Sequence, residues 1–408
     1  MSTPEHVRIA QIDALRGAAL LGILLINFAA MASGYFGTGL LDPRHAGLWD
    51  QMVQQLLTVL VETKFYLLFS CLFGYSFTLQ MDSAERAGAA FSARMLRRLA
   101  GLAVLGLAHA LLLFPGDILL CYALLGLVLL YLRRLSDRAL RRWAVGLWLG
   151  HALLWLLPAG LLALLAPDAP GEAGVDIFRR AWASELAYRG SWATTLAEHW
   201  RVWHQEMSWV LPLVQMPSAL AMFITGLLLG RARWLAEPIA QRELLVRLAC
   251  LGLVLGLPGA LLYAQGGPGL LLWRQLALEG IGILSAPWLS AAYAALFLLA
   301  LQGACGTRMQ AWLAPAGRMA LSHYLLQSLC GSLLFSAYGL RLYGQLGSTA
   351  VLGLALLLFG AQLWLSRYWL ASHRYGPVEW GLRALTLWRW PAWRRADEQP
   401  AASSLAPR

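Results

Sequence analysis

Polar side chains stand at helical spacing around the first apolar segment of the chain. Asp13 and Arg16 precede the apolar run 18–26, and Asn27 follows it. Asn27 comes eleven residues after Arg16, so on a helix the two lie on nearly the same face, roughly 16 Å apart. Strongly polar groups at membrane depth are costly and are usually kept for function. The spacing predicts one helix stripe with an Asp13–Arg16 ion pair at one end and an amide near mid-membrane.

A histidine and a carboxylate flank the turn after the third apolar segment. His109 lies near the end of that segment, and Asp117 follows eight residues later, after Phe114-Pro115-Gly116. A carboxylate beside an imidazole orients the ring and raises its basicity, which suits a general base. Two alternatives stay open: His109 is a packing residue, and Asp117 is the N-cap of the next helix.

Two further places carry ionisable groups. Glu62 and Lys64 are two positions apart, so on a helix their side chains diverge by about 160°, and we expect separate partners or a wet cavity. The alternative is that both side chains reach outward to the membrane interface. His45, in the outer loop Asp42-Pro43-Arg44-His45, is a second candidate base, and the alternative is a solvated loop residue.

A polar stripe runs along the ninth apolar segment. His323 and Gln327 are four residues apart and share a helix face, and Tyr324 and Ser328 share the neighbouring face. Such a stripe fits a substrate site, or hydrogen bonds between helices alone.

The tail after the last apolar segment has the pattern of a short amphipathic helix. Pro377 suits the first helical position, and Glu379 precedes Arg383 by four residues, a helix-supporting pair. Trp380, Trp388, Trp390 and Trp393 are typical anchors at the headgroup level.

Composition indicates which elements position these residues. The 408-residue chain is 59% hydrophobic and 13% charged, with a mean hydropathy of +0.59. Repeated apolar runs of this kind predict an all-α polytopic membrane protein of about ten transmembrane helices. We place the spans at about 14–33, 57–80, 99–114, 117–132, 143–166, 208–230, 244–264, 281–302, 319–338 and 347–370.

The basic residues alternate in density between successive loops. Arginine-rich loops follow every second span, and the loops between them hold few basic residues. The positive-inside rule therefore places both termini in the cytoplasm. The net charge of +11 then predicts contact with anionic lipid headgroups and argues against nucleic acid as a partner.

We divide the chain into four parts. Residues 1–166 form an N-terminal membrane half with the polar site, and 167–207 an outer loop of interfacial helices. Residues 208–370 form a C-terminal membrane half, and 371–408 the cytoplasmic amphipathic helix and a disordered tail. The five cysteines lack metal-ligand spacing, so no metal is predicted.

Several short motifs in fixed order resemble a known family. They are Leu15-Arg16-Gly17 with Asn27, Lys64-Phe65 with Leu72-Phe73-Gly74, Arg97-Arg98-Leu99 with His109, Gly116-Asp117-Ile118-Leu119, Gly317-Arg318-Met319-Ala320-Leu321-Ser322, and Gly376-Pro377-Val378-Glu379-Trp380 with Arg383. Together they resemble the YeiB-like bacterial inner-membrane proteins, a domain-of-unknown-function family. The resemblance spans about residues 8–390.

That family distantly resembles the transmembrane acyltransferase superfamily, whose members move an acyl group from cytoplasmic acyl-CoA to an acceptor across the membrane. The superfamily signature is a basic residue, ten intervening residues and a histidine. Arg16 and Asn27 match the spacing, but asparagine replaces the histidine. An amide cannot act as a general base, so the resemblance implies a base elsewhere, His109 or His45.

The resemblance implies acyl-CoA as the donor and a small-molecule or glycan acceptor in the envelope. Catalytic roles would fall to His109 or His45, with Asn27 and Asp117 in support. Substrate-binding candidates are Asp13, Arg16, Glu62, Lys64, Arg97, Arg98, Arg318, His323, Tyr324, Glu379 and Arg383. Two alternatives remain: a permease for a small, anionic solute, using the same buried charges, and a non-catalytic subunit of a membrane complex.

Overall fold

The structure is a computed structural model that describes residues 4–234 and 241–395, with side chains from Ala10 onward. Within these residues every regular element is a helix. The helices are α1 (Pro4–Ala32), α2 (Leu48–Leu60), α3 (Lys64–Arg86), α4 (Phe91–Leu112), α5 (Leu119–Leu132), α6 (Asp137–Leu165), α7 (Gly174–Gly190), α8 (Trp192–Val202), α9 (Ser208–Val210), α10 (Met216–Arg231), α11 (Arg242–Tyr263), α12 (Leu272–Leu301), α13 (Gly306–Arg318), α14 (Ala320–Phe335), α15 (Ser348–Ser372) and α16 (Pro377–Leu387). Two π-helical turns, Trp203–Met207 and Leu211–Gln215, connect α8 to α10.

Eight helical segments among the described residues are long and apolar enough to cross a membrane. They correspond to eight of the ten predicted spans. The other two predicted spans are the helices α5 and α14, of 14 and 16 residues. At about 1.5 Å per residue these helices are shorter than a hydrocarbon core of roughly 30 Å. The chain is therefore a polytopic helical membrane protein, and the count of ten spans stays a prediction.

The outer surface of the bundle is apolar. Leu157, Leu164, Val254 and Leu357 are large side chains that each expose well over half of their surface. A water-soluble protein rarely presents so many exposed leucines on its long helices. These side chains face hydrocarbon when the bundle lies in a bilayer.

Small residues let the central helices approach closely. A Cβ atom on Gly74 of α3 would lie 2.0 Å from the carbonyl oxygen of Phe223 on α10. A Cβ atom on Gly226 would lie 1.9 Å from the carbonyl oxygen of Cys71. Close backbone contact of this kind is a main source of helix association in membranes.

Helices from both membrane halves interleave. Helix α1 packs against α13, α14 and α15, α3 packs against α10, and α12 packs against α6. Residues 1–166 and 208–370 are therefore consecutive in sequence but are not separate in space. The polar clusters described below contain residues from both halves.

The outer loop and the tail fold largely as expected. Residues 167–207 contain α7 and α8, and the tail contains α16, as the sequence predicts. The disordered tail was predicted for the last dozen residues, which lie outside the described residues.

Candidate functional site

His109 and Asp117 are in direct contact between α4 and α5. The Nδ1 atom of His109 lies 2.9 Å from Oδ1 of Asp117, and both side chains are fully buried. Oδ2 of Asp117 accepts a hydrogen bond of 2.7 Å from the backbone N–H of Leu120. The predicted contact and the alternative N-cap are thus both present, one on each carboxylate oxygen, and the contact with Nδ1 is a close approach outside hydrogen-bond geometry.

Gly106 permits this contact. A Cβ atom at Gly106 would lie 2.7 Å from Oδ2 of Asp117 and 2.4 Å from the backbone nitrogen of Leu120. Because glycine lacks that atom, the first turn of α5 comes close to α4, and the carboxylate reaches the imidazole one helical turn further along.

Buried polar atoms without hydrogen-bond partners among the described residues lie on His109 and on helix α14. Nε2 of His109, the hydroxyl of Tyr324 and the hydroxyl of Ser328 are all buried and make no hydrogen bond with the described residues. The ring centres of His109 and Tyr324 are 4.9 Å apart, and the Tyr324 hydroxyl lies near the backbone of Ile118. Buried polar atoms almost always have a partner, so this set fits ordered water or a polar group of a ligand.

A second cluster lies at the end of the bundle that carries Arg16, Arg98 and Glu379, which we call the basic end. Arg16 donates to Asp13 at 2.7 Å, as predicted, and to the hydroxyl of Ser76 on α3 at 2.8 Å. Arg98 lies within electrostatic range of Arg16, Glu379 and Arg383, and its Nε atom is buried without a hydrogen-bond partner among the described residues. The cluster has more cationic than anionic groups and suits an anionic ligand.

Glu379 does not form the predicted pair with Arg383. Its carboxylate accepts hydrogen bonds from the backbone N–H of Leu321 and of Ser322, at 2.7 and 3.0 Å, and from the Ser322 hydroxyl at 2.5 Å. Burial raises the pKa of Glu379, and these hydrogen bonds oppose the rise. Arg383 instead lies over the Tyr375 ring, 5.0 Å from its centre. The prediction was wrong because α14, 57 residues away in sequence, offers unpaired N–H groups at its first turn.

The remaining arginines of the basic end bind the tail. Arg97 donates to the carbonyl of Thr386 at 3.1 Å and lies over the Trp388 ring. Arg318 donates to the carbonyl of Arg374 at 3.1 Å. Both side chains hold α16 and its flanking residues against the bundle.

A third cluster surrounds a break in the predicted second span. Residues 61–63 separate α2 from α3, and Thr63 adopts a φ of 69°. Tyr293 on α12 donates to the Leu60 carbonyl at 2.8 Å, and Lys64 donates to the Thr58 carbonyl at 2.9 Å. The prediction of one continuous helix over 57–80 is therefore wrong. Side chains satisfy the carbonyl groups that the break leaves without backbone partners, as a buried helix end requires.

Glu62 and Lys64 have different partners, as the sequence predicts. The carboxylate of Glu62 accepts a hydrogen bond of 3.1 Å from the Tyr263 hydroxyl. Lys64 is 1% exposed, so it does not reach outward to the interface. Glu279 on α12 lies within electrostatic range of Glu62.

The polar stripe on α14 makes hydrogen bonds to α15. Nε2 of His323 lies 2.5 Å from the Ser366 hydroxyl, and Gln327 donates to Gln362 at 2.9 Å. These contacts match the alternative of interhelical hydrogen bonding. Of the two residues proposed there for substrate binding, only Tyr324 lies beside His109.

His45 lies in a charged group at the opposite end of the bundle. Its neighbour Arg44 bridges Asp42 at 2.5 Å and Glu185 of α7 at 2.6 Å. Burial favours a higher pKa for Asp42 and for Glu185, but the hydrogen bonds and charge of Arg44 outweigh it and hold both pKa values below their usual range. The imidazole of His45 itself makes no hydrogen bond with the described residues, and it is half-buried.

The candidate residues thus lie in separate clusters. Arg16 bonds to Ser76, whereas Lys64 lies twelve positions earlier on the same helix, about 18 Å away along its axis. Asn27 is half-buried and makes no hydrogen bond with the described residues. The structure joins Asp13, Arg16, Arg98, Glu379 and Arg383 at the basic end, and His109, Asp117 and Tyr324 around α4.

The sequence analysis did not identify two polar residues inside the bundle. Glu279 is a carboxylate in a long apolar helix. Because a charge at that depth is costly, its position in the sequence could have marked it as a candidate functional residue. His151 on α6 lies with Nδ1 2.7 Å from the Ser218 hydroxyl of α10. That pairing joins residues 67 positions apart, and helical periodicity carries no information on it.

Comparison with known proteins agrees with the motifs. Residues 229–389 match the family described as "Protein of unknown function (DUF418)". The chain is 31% identical over 404 residues to the uncharacterized protein YxaH of Bacillus subtilis (strain 168), covering 95% of this chain and 96% of YxaH. It is 29% identical over 400 residues to the uncharacterized protein YeiB of Escherichia coli (strain K12), covering 92% and 95%. An uncharacterized 39.9 kDa protein of Bacillus acidopullulyticus is 27% identical over 387 residues, covering 93% and 94%. The chain therefore belongs to the DUF418 family, and the predicted likeness to YeiB is confirmed.

Proposed function

We propose that this protein is a membrane-embedded acyltransferase that moves an acyl group from acyl-CoA to a hydroxyl or amine acceptor. The buried contact between His109 and Asp117 supports the proposal, because it leaves Nε2 of the imidazole unpaired inside the bundle. A general base needs a free nitrogen on one side and an orienting carboxylate on the other.

The reaction follows from that arrangement. Nε2 of His109 takes the proton of the acceptor while the acceptor oxygen or nitrogen attacks the thioester carbonyl carbon. The carbon–sulfur bond then breaks, and the leaving thiolate takes the proton back from the imidazolium. Asp117 stabilises the imidazolium, and the hydroxyl of Tyr324, whose ring contacts His109, can donate a hydrogen bond to the developing oxyanion.

The basic end is the docking place for the donor. Arg16 and Arg383 lie within electrostatic range of Arg98, and guanidinium groups bind phosphate well. We infer that the phosphates of acyl-CoA bind there, on the cytoplasmic side of a bacterial inner membrane. The acceptor, a small molecule or glycan of the envelope, would approach from the other side.

The test is acyl transfer by the purified protein in lipid nanodiscs, with radiolabelled acetyl-CoA and an envelope glycolipid extract. We expect His109→Gln to lower the transfer rate on the order of 10²- to 10⁴-fold, the usual contribution of a general base. The matched variant His45→Gln, which alters the other candidate base, should keep the wild-type rate. Wild-type transfer by His109→Gln would reject this base, and loss of transfer in His45→Gln alone would move the chemistry to the outer loop.

A second candidate is transport of a small, anionic solute. The buried ammonium of Lys64 and the carboxylates of Glu62 and Glu279 favour it, since intramembrane charges commonly mark solute or proton pathways. Uptake of an anion into proteoliposomes without acyl-CoA would support transport. Acyl transfer without such uptake would exclude it.

A further inference from the structure

A cavity of about 400 Å³ lies at the end of the bundle opposite the basic end. Three parts of the chain enclose it: the loop after α1 at Gly39 and Leu40, the second half of α2, and the end of α11 with the loop that follows it. Its volume falls within the range of about 300–1,000 Å³ that is usual for ligand sites. The three clusters described above contribute no side chain to its walls.

Two glycine-containing loops are in contact at the wall of this cavity. A Cβ atom on Gly39 would lie 2.5 Å from the carbonyl oxygen of Gly266 and 2.7 Å from Cα of Gly267. Gly39 also has a φ of 75°, which glycine adopts without strain. A larger residue at Gly39 would therefore push the two loops apart and change the shape of the cavity.

Two glutamine side chains fix the backbone of these loops. Gln54 of α2 donates to the carbonyl of Leu40 at 3.1 Å, and Gln275 of α12 donates to the carbonyl of Gly267 at 3.0 Å. The side-chain oxygen of Gln275 also accepts a hydrogen bond of 3.3 Å from the backbone N–H of Glu172. The walls are thus held in place without a ligand, and a site formed in advance loses less entropy on binding.

The lining of the cavity is uncharged and has a polar and an apolar part. Among the described residues that line it, none is acidic or basic, and the polar side chains are Gln55 and Gln265. Both are exposed, and neither carboxamide makes a hydrogen bond with the described residues. Each can therefore donate from its nitrogen and accept at its oxygen. Val59, Leu261 and Ala264 supply apolar surface.

This lining favours one class of ligand over two others. A charged ligand would lose water in the cavity without gaining a counter-charge, which is costly. A wholly apolar ligand would displace water from the two carboxamides without replacing its hydrogen bonds. A neutral ligand that carries several hydroxyl groups on an apolar carbon ring matches both parts of the lining.

We propose that this cavity binds one neutral sugar unit. The sugar hydroxyls pair with the carboxamides of Gln55 and Gln265, and its C–H face lies against Val59 and Leu261. Binding requires neither His109 nor acyl-CoA, so the site is separate from the proposed acyl transfer and does not rest on it.

The test is saturation-transfer NMR on the full-length protein in nanodiscs of deuterated lipid, without acyl-CoA. Irradiation of the protein methyl protons saturates the protons of a weakly bound ligand that lie against the protein. The probes are methyl β-D-glucoside, which is neutral, and methyl β-D-glucuronide, in which a carboxylate replaces the hydroxymethyl group. We expect saturation of the glucoside protons and roughly tenfold weaker saturation of the glucuronide, because the cavity offers no counter-charge.

Leucine variants test whether the sugar binds in this cavity. The double variant Gln55→Leu, Gln265→Leu changes two exposed positions, so we expect the fold to be kept. The dissociation constant of the glucoside should rise at least about tenfold, as the loss of two hydrogen bonds implies. The matched control Gln51→Leu changes an exposed glutamine one turn earlier on α2, outside the lining, and should keep wild-type binding.

Four results would overturn the proposal. No saturation of the glucoside by the wild-type protein would reject sugar binding, and equal saturation of both probes would reject the preference for a neutral ligand. Wild-type binding by the double variant, or an equal loss of binding in Gln51→Leu, would assign the sugar to another surface. Each of these results leaves the acyl transfer by His109 standing, because that activity is measured separately with radiolabelled acetyl-CoA.

Discussion

Nδ1 of His109 lies 2.9 Å from Oδ1 of Asp117, across the turn between α4 and α5. Both groups are fully buried, so the charge of the carboxylate acts on the imidazole with little screening by solvent. Nδ1 therefore faces the carboxylate, and Nε2 makes no hydrogen bond with the described residues.

Replacement of Asp117 separates its charge from its role as a helix cap. In Asp117→Asn, the amide oxygen can still accept the Leu120 N–H, but the negative charge beside His109 is lost. We expect acyl transfer to fall at least about tenfold, with little change in the midpoint of thermal unfolding. Asp168→Asn, at an exposed position, is the control. An unchanged rate in Asp117→Asn would remove the carboxylate from the mechanism.

Gly106 is required for the close approach of α4 and α5. In Gly106→Ala, the new methyl group meets the backbone nitrogen of Leu120 at 2.4 Å, so the helices must move apart. We expect a loss of about 1–3 kcal/mol in the free energy of unfolding, measured in detergent micelles. In the matched variant Gly146→Ala, the Cβ atom meets nothing within 4 Å, and a gain of up to about 1 kcal/mol is expected. Equal stability of the two variants would show that the approach is not tight.

The charged group around Arg44 makes stability depend on pH. The pKa values of Asp42 and Glu185 are lowered in the folded protein, so folding favours their charged forms. Their stabilisation is complete above the ordinary carboxyl pKa of about 4 and is lost as the pH falls through the lowered values. We expect thermal unfolding midpoints to drop between neutral pH and about pH 3.

Arg44→Gln tests the origin of that dependence. The variant removes the guanidinium that holds both carboxylates, so it should be less stable at neutral pH and should lose less stability on acidification. A wild-type pH dependence in Arg44→Gln would assign the effect to other carboxyl groups.

Glu379 joins α16 to the start of α14. Glu379→Ala removes the acceptor for two backbone N–H groups and one hydroxyl. We expect a loss of about 1–2 kcal/mol, typical of a lost helix cap, and faster proteolysis of the tail. Glu379→Gln retains one acceptor oxygen and should lose less. Equal proteolysis of wild type and Glu379→Ala would mean that other contacts, such as Arg97 with Thr386, suffice to hold the tail.

The sequence predicts contacts across short turns better than contacts across the bundle. The pairing of His109 with Asp117 and the Asp13–Arg16 ion pair follow from local spacing, since a turn or one helical step fixes their separation. The membrane architecture follows from hydropathy for a similar reason, because each helix satisfies its own backbone.

Contacts between distant segments depend on which helices are neighbours, and hydropathy does not specify this. Arg16 with Ser76, Glu379 with Ser322, and Glu62 with Tyr263 each join separate helices. The break at Thr63 was missed because the Tyr293 hydroxyl of α12 and the ammonium of the adjacent Lys64 satisfy the freed carbonyls. The pattern of apolar residues continues across such a break, so it predicts one uninterrupted helix.

The cap that Glu379 gives to α14 has a consequence for biogenesis. Ser322 in the first turn of α14 is synthesised 57 residues before Glu379, so this turn is made with N–H groups that still lack their cap. Those groups must be held by water or by the translocation channel until α16 arrives. The basic end of the bundle is consequently completed in the last stage of synthesis, after the earlier helices that contribute to it have been inserted into the membrane.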